Sequence, residues 1–339
     1  MEQNVETIDV IDTTKDAKKQ FSRLGLAFLA GSVVVNVVAY ALSFALKQWK
    51  PEWLWDTNVS VLLSAISMYL AGMPVMALII KKMPKADIPK KRMSIGQFLL
   101  ALIMCYPLVY GSNIVGTIIT TVIGILKGSA VNNTVLNVVS DANMVVIILY
   151  MVICAPIMEE LIFRKLIVDR VARFGQGVAI VVSGVMFGLF HGNLSQFMYA
   201  TVLGMFLAFL YVKTGNIKIT IGIHMVINFM GGVVSTLLLK AIKYEELLEL
   251  SSSGDVNALM RFYMDNLPGW IAYMLYIVFI FAVVIAGIIL LIVFRKRFKV
   301  ETGEVAIPKG KRFMTVFVNL GMLAFCLFWI ATIIVQLFA

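Results

Sequence analysis

The chain has 339 residues, of which 60% are hydrophobic and only 14% charged, and its formal net charge is +10. Soluble domains run near half apolar and about a quarter charged, so this composition excludes an ordinary water-soluble enzyme. A mean hydropathy of +0.92 and long unbroken apolar runs demand a membrane-spanning fold instead. Lipid offers backbone groups no water, and the runs are continuous rather than alternating, so helices are expected and not barrel strands. The predicted fold is all-α: a polytopic transmembrane helical bundle of about nine spans.

Residues 1–21 read as a polar cytoplasmic tail; with no early apolar stretch, a cleavable signal peptide is not expected. Spans are then predicted over 22–46, 58–80, 94–126, 142–163, 176–191, 195–212, 219–239, 268–294 and 313–338. The 94–126 run exceeds one straight crossing, and Pro107 with Gly111 is expected to kink or divide it. The pattern divides into N-terminal transmembrane helices (22–141), a central core (142–240), an extracytoplasmic element (241–267) and C-terminal transmembrane helices (268–339). With five acids and three bases, the 240–267 stretch suits an amphipathic helix outside the membrane.

Basic residues concentrate in short connections. Lys81, Lys82, Lys85, Lys90, Lys91 and Arg92 fill one loop, and Arg295, Lys296, Arg297, Lys299, Lys309, Lys311 and Arg312 another. Smaller groups follow the fourth span (Arg164, Lys165, Arg170, Arg173) and the sixth (Lys213, Lys218). Nine spans place all four on one side, which the positive-inside rule makes cytoplasmic, with the N-terminus inside and the C-terminus outside a bacterial plasma membrane. No basic segment interleaves with exposed aromatics, so a nucleic-acid partner is not expected. Cys105, Cys154 and Cys326 lie in apolar runs and are expected to pack as small apolar residues, without a disulfide framework.

Ionisable groups at membrane depth mark functional sites. Away from loop edges the only acids in any span are Glu159 and Glu160, and the only histidines in the chain are His191 and His224. Glu160 and Arg164, four apart, share a helical face and can pair, while Glu159 points about 100° away and is free to face a cavity. Phe187 and His191 repeat the spacing, as do His224 and Asn228. Gly184, Gly188, Gly222, Gly231 and Gly232 permit close helix approach. A carboxylate in a low-dielectric cavity suits general-base activation of water, with two imidazoles and a carboxamide steadying an oxyanion. Alternatively Glu159, His191 and His224 hold Zn2+ with an open fourth position, and the metal activates the water. Either route hydrolyses an acyl bond, most naturally a peptide. There is no His-Glu-x-x-His motif, no Gly-x-Ser-Gly nucleophile, and the one Gly-Asp pair, Gly254-Asp255, sits in an outer loop.

In order, Glu-Glu-x-x-x-Arg (Glu159, Glu160, Arg164), Phe-x-x-x-His (Phe187, His191) and His-x-x-x-Asn (His224, Asn228) resemble the CPBP family, the CAAX-protease and bacteriocin-processing (Abi) intramembrane peptidases. The resemblance covers roughly 148–232 and includes the linking stretch from Leu210 to Asn216. It implies a CAAX-protease-like four-helix catalytic core and an intramembrane endopeptidase acting on a membrane-associated protein or peptide. In it Glu159 activates water, Glu160 and Arg164 orient it, and His191, His224 and Asn228 complete the site. Relatives are described both as metalloproteases and as metal-free glutamate peptidases.

Two rival readings use the same groups. A proton-coupled carrier would relay protons through them, but calls for an internal repeat that the chain lacks. A catalytically idle scaffold would not need all six motif residues. By hydropathy His191 falls at the far end of its span from Glu159 and His224. The expectation is therefore that 176–191 and 195–212 form a hairpin entering from the cytoplasm and turning near residues 192–195 at membrane depth, buried in protein or lining a wet cavity.

Overall fold

The computed structural model describes residues 2–131 and 134–338, with side chains described for 13–131 and 138–338. Among the described residues eight helices are long and apolar enough to cross a bilayer, and a ninth apolar helix, Gln176–Phe190, is shorter. The protein is a polytopic all-helical bundle.

Helix α1 (Glu2–Trp49) joins the polar N-terminal stretch to the first span without a break. It stops where Lys50 is forced out of helical geometry by Pro51. Helix α2 (Thr57–Ile80) starts at Asp56, whose carboxylate caps the Asn58 amide. Helix α3 (Ile95–Lys127) opens on a Ser94–Gln97 capping box and closes on left-handed Gly128. Pro107 stays inside it, so the long run is not divided. Helix α4 (Met144–Phe174) continues beyond the expected end at 163 and carries Asp169 and Arg170 into burial. The expectation that Glu159 and Glu160 are the only acids of the spans therefore needs correcting: Asp169 is a third, missed because its flanking bases read as a loop.

Helices α5 (Gln176–Phe190) and α6 (Leu194–Thr214) pack on each other most extensively, and α6 also lies along α3. Helix α7 (Ile217–Ala241) returns through the core. The 240–267 stretch forms two short helices, Tyr244–Ser253 and Val256–Asp265, the second capped by Asp255. Helix α8 (Leu267–Val293) is largely uncovered by protein, and a short turn at Arg312–Val316 precedes α9 (Leu320–Phe338). Of the cysteines only Cys105 is buried; Cys154 is exposed and Cys326 half-buried. Protein does not cover Cys154, so it faces the surroundings of the bundle instead of packing in the core as expected.

The basic connections meet on one face. Ala86 donates its amide to the Asp169 carbonyl, Lys91 to that of Thr214, and Val305 to that of Arg173. Gln176 and Glu301 bond across the same end of the bundle. Asp169 is the anchor: it accepts from the Tyr211 hydroxyl at 2.8 Å and pairs with Lys165 at 2.9 Å.

The α5–α6 turn is the feature that positions the site. Helix α5 has 15 residues, about 22 Å at 1.5 Å per residue, short of a hydrocarbon core of about 30 Å. Gly192 turns with φ 66°, and a side chain there would meet Trp329, near the middle of α9, at 3.0 Å. Gly192 and Asn193 are buried by protein. The Asn193 side chain caps Gln196 and also reaches the His191 carbonyl at 3.0 Å. At Gly188 a Cβ would collide with Thr201, so only glycine lets α5 press against α6 immediately before His191.

Candidate active site

Helix α4 changes register twice around its two glutamates. Turns of π type run over Ile148–Cys154 and Leu161–Val168, flanking the α-helical Ala155–Glu160. Such bulges recur at functional sites. Pro156 supplies one cause, since it has no N–H to give. The Ala155 N–H reaches back to Tyr150, and in that register the next acceptor, the Met151 carbonyl, is left for Pro156. Asn228 fills the gap, donating Nδ2 to the Met151 oxygen at 2.8 Å. A third π-type stretch, Phe229–Val234, begins directly after Asn228.

Glu160 and Arg164 are both fully buried, with Nε and Oε2 3.1 Å apart. The N–H points off the oxygen, making this a charge contact and not an aligned hydrogen bond. The guanidinium lies over the Phe187 ring at 4.7 Å. The other carboxylate oxygen of Glu160 takes Nδ1 of His224 at 3.1 Å. That bond orients the imidazole so that Nε2 faces Glu159 at 3.7 Å, just beyond hydrogen-bond range. Glu159 keeps 16% of its side chain exposed, whereas Glu160 keeps none. Adjacent carboxylates are thus separated by function of place: one clamps, one faces outward.

His191 caps α5 and holds its Nδ1 2.8 Å from the Phe187 carbonyl, leaving Nε2 uncommitted. Phe187 stands edge-on to both imidazoles, with centroids 4.8 Å from His191 and 5.8 Å from His224. Arg164, His191 and His224 therefore gather around one phenyl ring. Of the six residues expected, the structure brings five into this cluster and places Asn228 one helical turn beyond His224, against α4.

The expected metal trio does not match this geometry. Among the described residues no three His, Cys, Asp or Glu side chains converge as ligands. His224 has committed Nδ1 to Glu160, and His191 holds its own Nδ1 against the Phe187 carbonyl. A tetrahedral zinc needs its donors about 2.0–2.2 Å from one point. As arranged, Glu159, His191 and His224 do not fit that requirement.

Two tyrosines belong to this neighbourhood that the sequence pattern does not single out. Tyr69 on α2 and Tyr150 on α4 pack with ring centroids 5.9 Å apart and planes tilted by 35°. The available signal is Tyr69 alone, near the middle of its span, whereas membrane tyrosines usually sit at span ends.

Fold and site together define a polytopic helical membrane protein with a carboxylate–imidazole cluster inside its bundle. Residues 141–230 match the family model described as "Type II CAAX prenyl endopeptidase Rce1-like". Residues 141–230 are thus similar to the CAAX-protease (CPBP) peptidases that the three spaced motifs resemble. A relative in Bacillus subtilis (strain 168), which carries the name of a membrane peptidase, YdiL, is 31% identical over 163 residues. That match covers 47% of this chain and 66% of the relative, just under two thirds of the relative's length. No solved structure matches the chain.

Proposed function

We propose that the protein is an intramembrane endopeptidase that cuts a peptide bond of a membrane-associated protein or peptide. The observation that carries this reading is the Glu159–His224–Glu160–Arg164 relay, in which a fully buried ion pair fixes an imidazole against a partly exposed carboxylate. Glu159 takes a proton from water, and the hydroxide so formed attacks the carbonyl carbon of the substrate. The oxyanion that develops is met by N–H donors, with His191 and the second amide hydrogen of Asn228 available for this. As the tetrahedral centre collapses the C–N bond breaks, and the proton held by Glu159 passes to the leaving amine. His224 and Arg164 stay in place and keep the two carboxylates from repelling each other.

The 142–240 stretch carries the chemistry in this reading, and the flanking helices hold it in the bilayer. The face that bears the basic connections is the cytoplasmic one, which puts the N-terminus inside and the C-terminus outside. Glu159 lies ten residues, about 15 Å, along α4 from Asp169 on that face, so substrate is met in the cytoplasmic half.

The test compares cells expressing wild type or Glu159→Gln, cataloguing the termini of membrane-associated proteins and peptides. Ends that appear only with wild type are expected. Identical catalogues at equal expression would sink the peptidase reading.

A further inference from the structure

The end of the bundle away from the basic connections carries an apolar surface that protein does not cover. At about 100° per residue, Val256, Met260, Tyr263 and Met264 share one arc of the Val256–Asp265 helix. All four are exposed, Val256 at 71%, Met260 at 64% and Met264 at 66%. Asn257, Arg261 and Asp265, also exposed, occupy the next arc, while Phe262 on the third turns into the protein and is 4% exposed. The helix thus has a docked side, a polar side and an apolar side with no protein against it. Its ladder runs on into α8, since Asn266 donates its N–H to the Phe262 carbonyl at 3.1 Å and accepts that of Trp270 at 3.2 Å. Across this joint the stripe continues through Leu267, Ile271, Met274 and Leu275, all exposed. Asn266 leaves helical geometry (φ −107°, ψ 18°) and Pro268 has no N–H to give, so the two helices meet at a bend. A side chain at Gly269 would collide with the Ala241 carbonyl, which fixes the joint against the end of α7.

From this we infer that the Val256–Asp265 helix lies flat in the outer membrane interface, its stripe against phospholipid acyl chains and Arg261 and Asp265 among the headgroups. Lipid is the occupant because the stripe is continuous with the face of α8. That helix, 27 residues and about 40 Å long, crosses the whole hydrocarbon core and is largely uncovered by protein. Whatever covers α8 covers the stripe. Aromatic side chains mark the level independently. Tyr263 packs on Trp270 with centroids 5.0 Å apart, and Trp270 on Tyr273 at 6.1 Å. Tryptophan and tyrosine collect where membrane meets water, and four of the chain's five tryptophans (Trp49, Trp53, Trp55 and Trp270) lie at this end of the bundle. A helix with one apolar and one charged face at that depth rests in the interface plane, whereas in water its stripe would stay an uncovered apolar patch. The anchoring does not depend on the peptidase chemistry.

The experiment uses the full chain in vesicles of phosphatidylethanolamine and phosphatidylglycerol, with Cys154 and Cys326 replaced by alanine and the buried Cys105 kept. Nitroxide labels are attached singly through Met260→Cys and Met264→Cys on the stripe, and through Asn257→Cys and Arg261→Cys on the polar side. Collision of each label with oxygen, which concentrates in lipid, and with a water-soluble nickel chelate reads its depth. Labels at 260 and 264 are expected about 5–10 Å below the headgroups, meeting mainly oxygen, and those at 257 and 261 are expected to meet mainly the chelate. Chelate-dominated collisions at all four positions would put the stripe in water and overturn the inference. Shielding of 260 and 264 from both reagents, with spin–spin broadening that grows with the protein-to-lipid ratio, would make a second copy of the chain the cover and overturn it as well.

Discussion

The Asn228 side chain donates to the backbone carbonyl of Met151 across 2.8 Å, taking an acceptor that Pro156, lacking an N–H, cannot serve. One bond thereby ties the third sequence motif to the helix of the first. Asn228→Ala is expected to lower stability by about 1–3 kcal/mol, because the carbonyl is left unpaired in apolar surroundings. In a Pro156→Ala background, where residue 156 regains an N–H, the same change should cost less than about 1 kcal/mol. Unfolding of the four proteins in detergent measures the coupling; strict additivity would show that the Met151 acceptor is not shared.

Arg164 is expected to be the most sensitive residue for folding. It is fully buried, as is its partner Glu160, and Arg164→Met would strand the carboxylate without compensation. A loss of about 3–5 kcal/mol is expected, recovered in large part by Glu160→Gln in the same protein. Denaturant unfolding of single and double variants checks it, and His224 ring orientation should loosen in both.

Gly188 sets the distance between α5 and α6. Alanine there would push against Thr201 and the Phe197 carbonyl, and the strain falls three residues before His191. Gly188→Ala is expected to lower stability by about 1–3 kcal/mol and to reduce cleavage more than substrate affinity. Gly231→Ala, on α7 with open space around it, serves as the neutral comparison.

At the basic face, Lys213 pairs with Glu301 at 3.0 Å and also bonds Gln176 at 2.7 Å. The lysine holds the Glu301 carboxyl below its usual range. A depressed folded value means that the contribution is present above the ordinary carboxylate range and is lost as pH falls through the folded value. Limited proteolysis of the 298–311 segment should therefore quicken under acid, and Glu301→Gln should remove that dependence. High salt is expected to weaken the same tether at neutral pH, since Glu301 is exposed.

Because Glu159, His191 and His224 do not converge on one point, purified protein is expected to hold less than stoichiometric zinc. Elemental analysis decides it. A one-to-one content lost in His224→Gln would require the site to rearrange around an ion.

Much of the site is legible in the chain's own spacing and hydropathy. The interval between Glu160 and Arg164 dictates a shared helical face, and that pair is present at 3.1 Å. The shortness of the 176–191 run implies a turn inside the membrane, and Gly192 is buried beside Trp329. Less is legible where burial by other segments decides the outcome. Asp169 reads as part of a loop among Lys165, Arg170 and Arg173, yet the 81–92 connection folds over it and keeps it helical and 2% exposed. Cys154 reads as core and is not.

By itself the sequence determined the membrane class, the helical fold and the short list of polar side chains at depth, because hydropathy and helical period are local properties of the chain. Only the tertiary structure decided that His224 turns one nitrogen to Glu160 and the other to Glu159, that Asn228 answers for Pro156, and that Tyr69 packs against Tyr150. Those relations join segments 64 to 81 residues apart, and packing between helices, which no local pattern encodes, sets them.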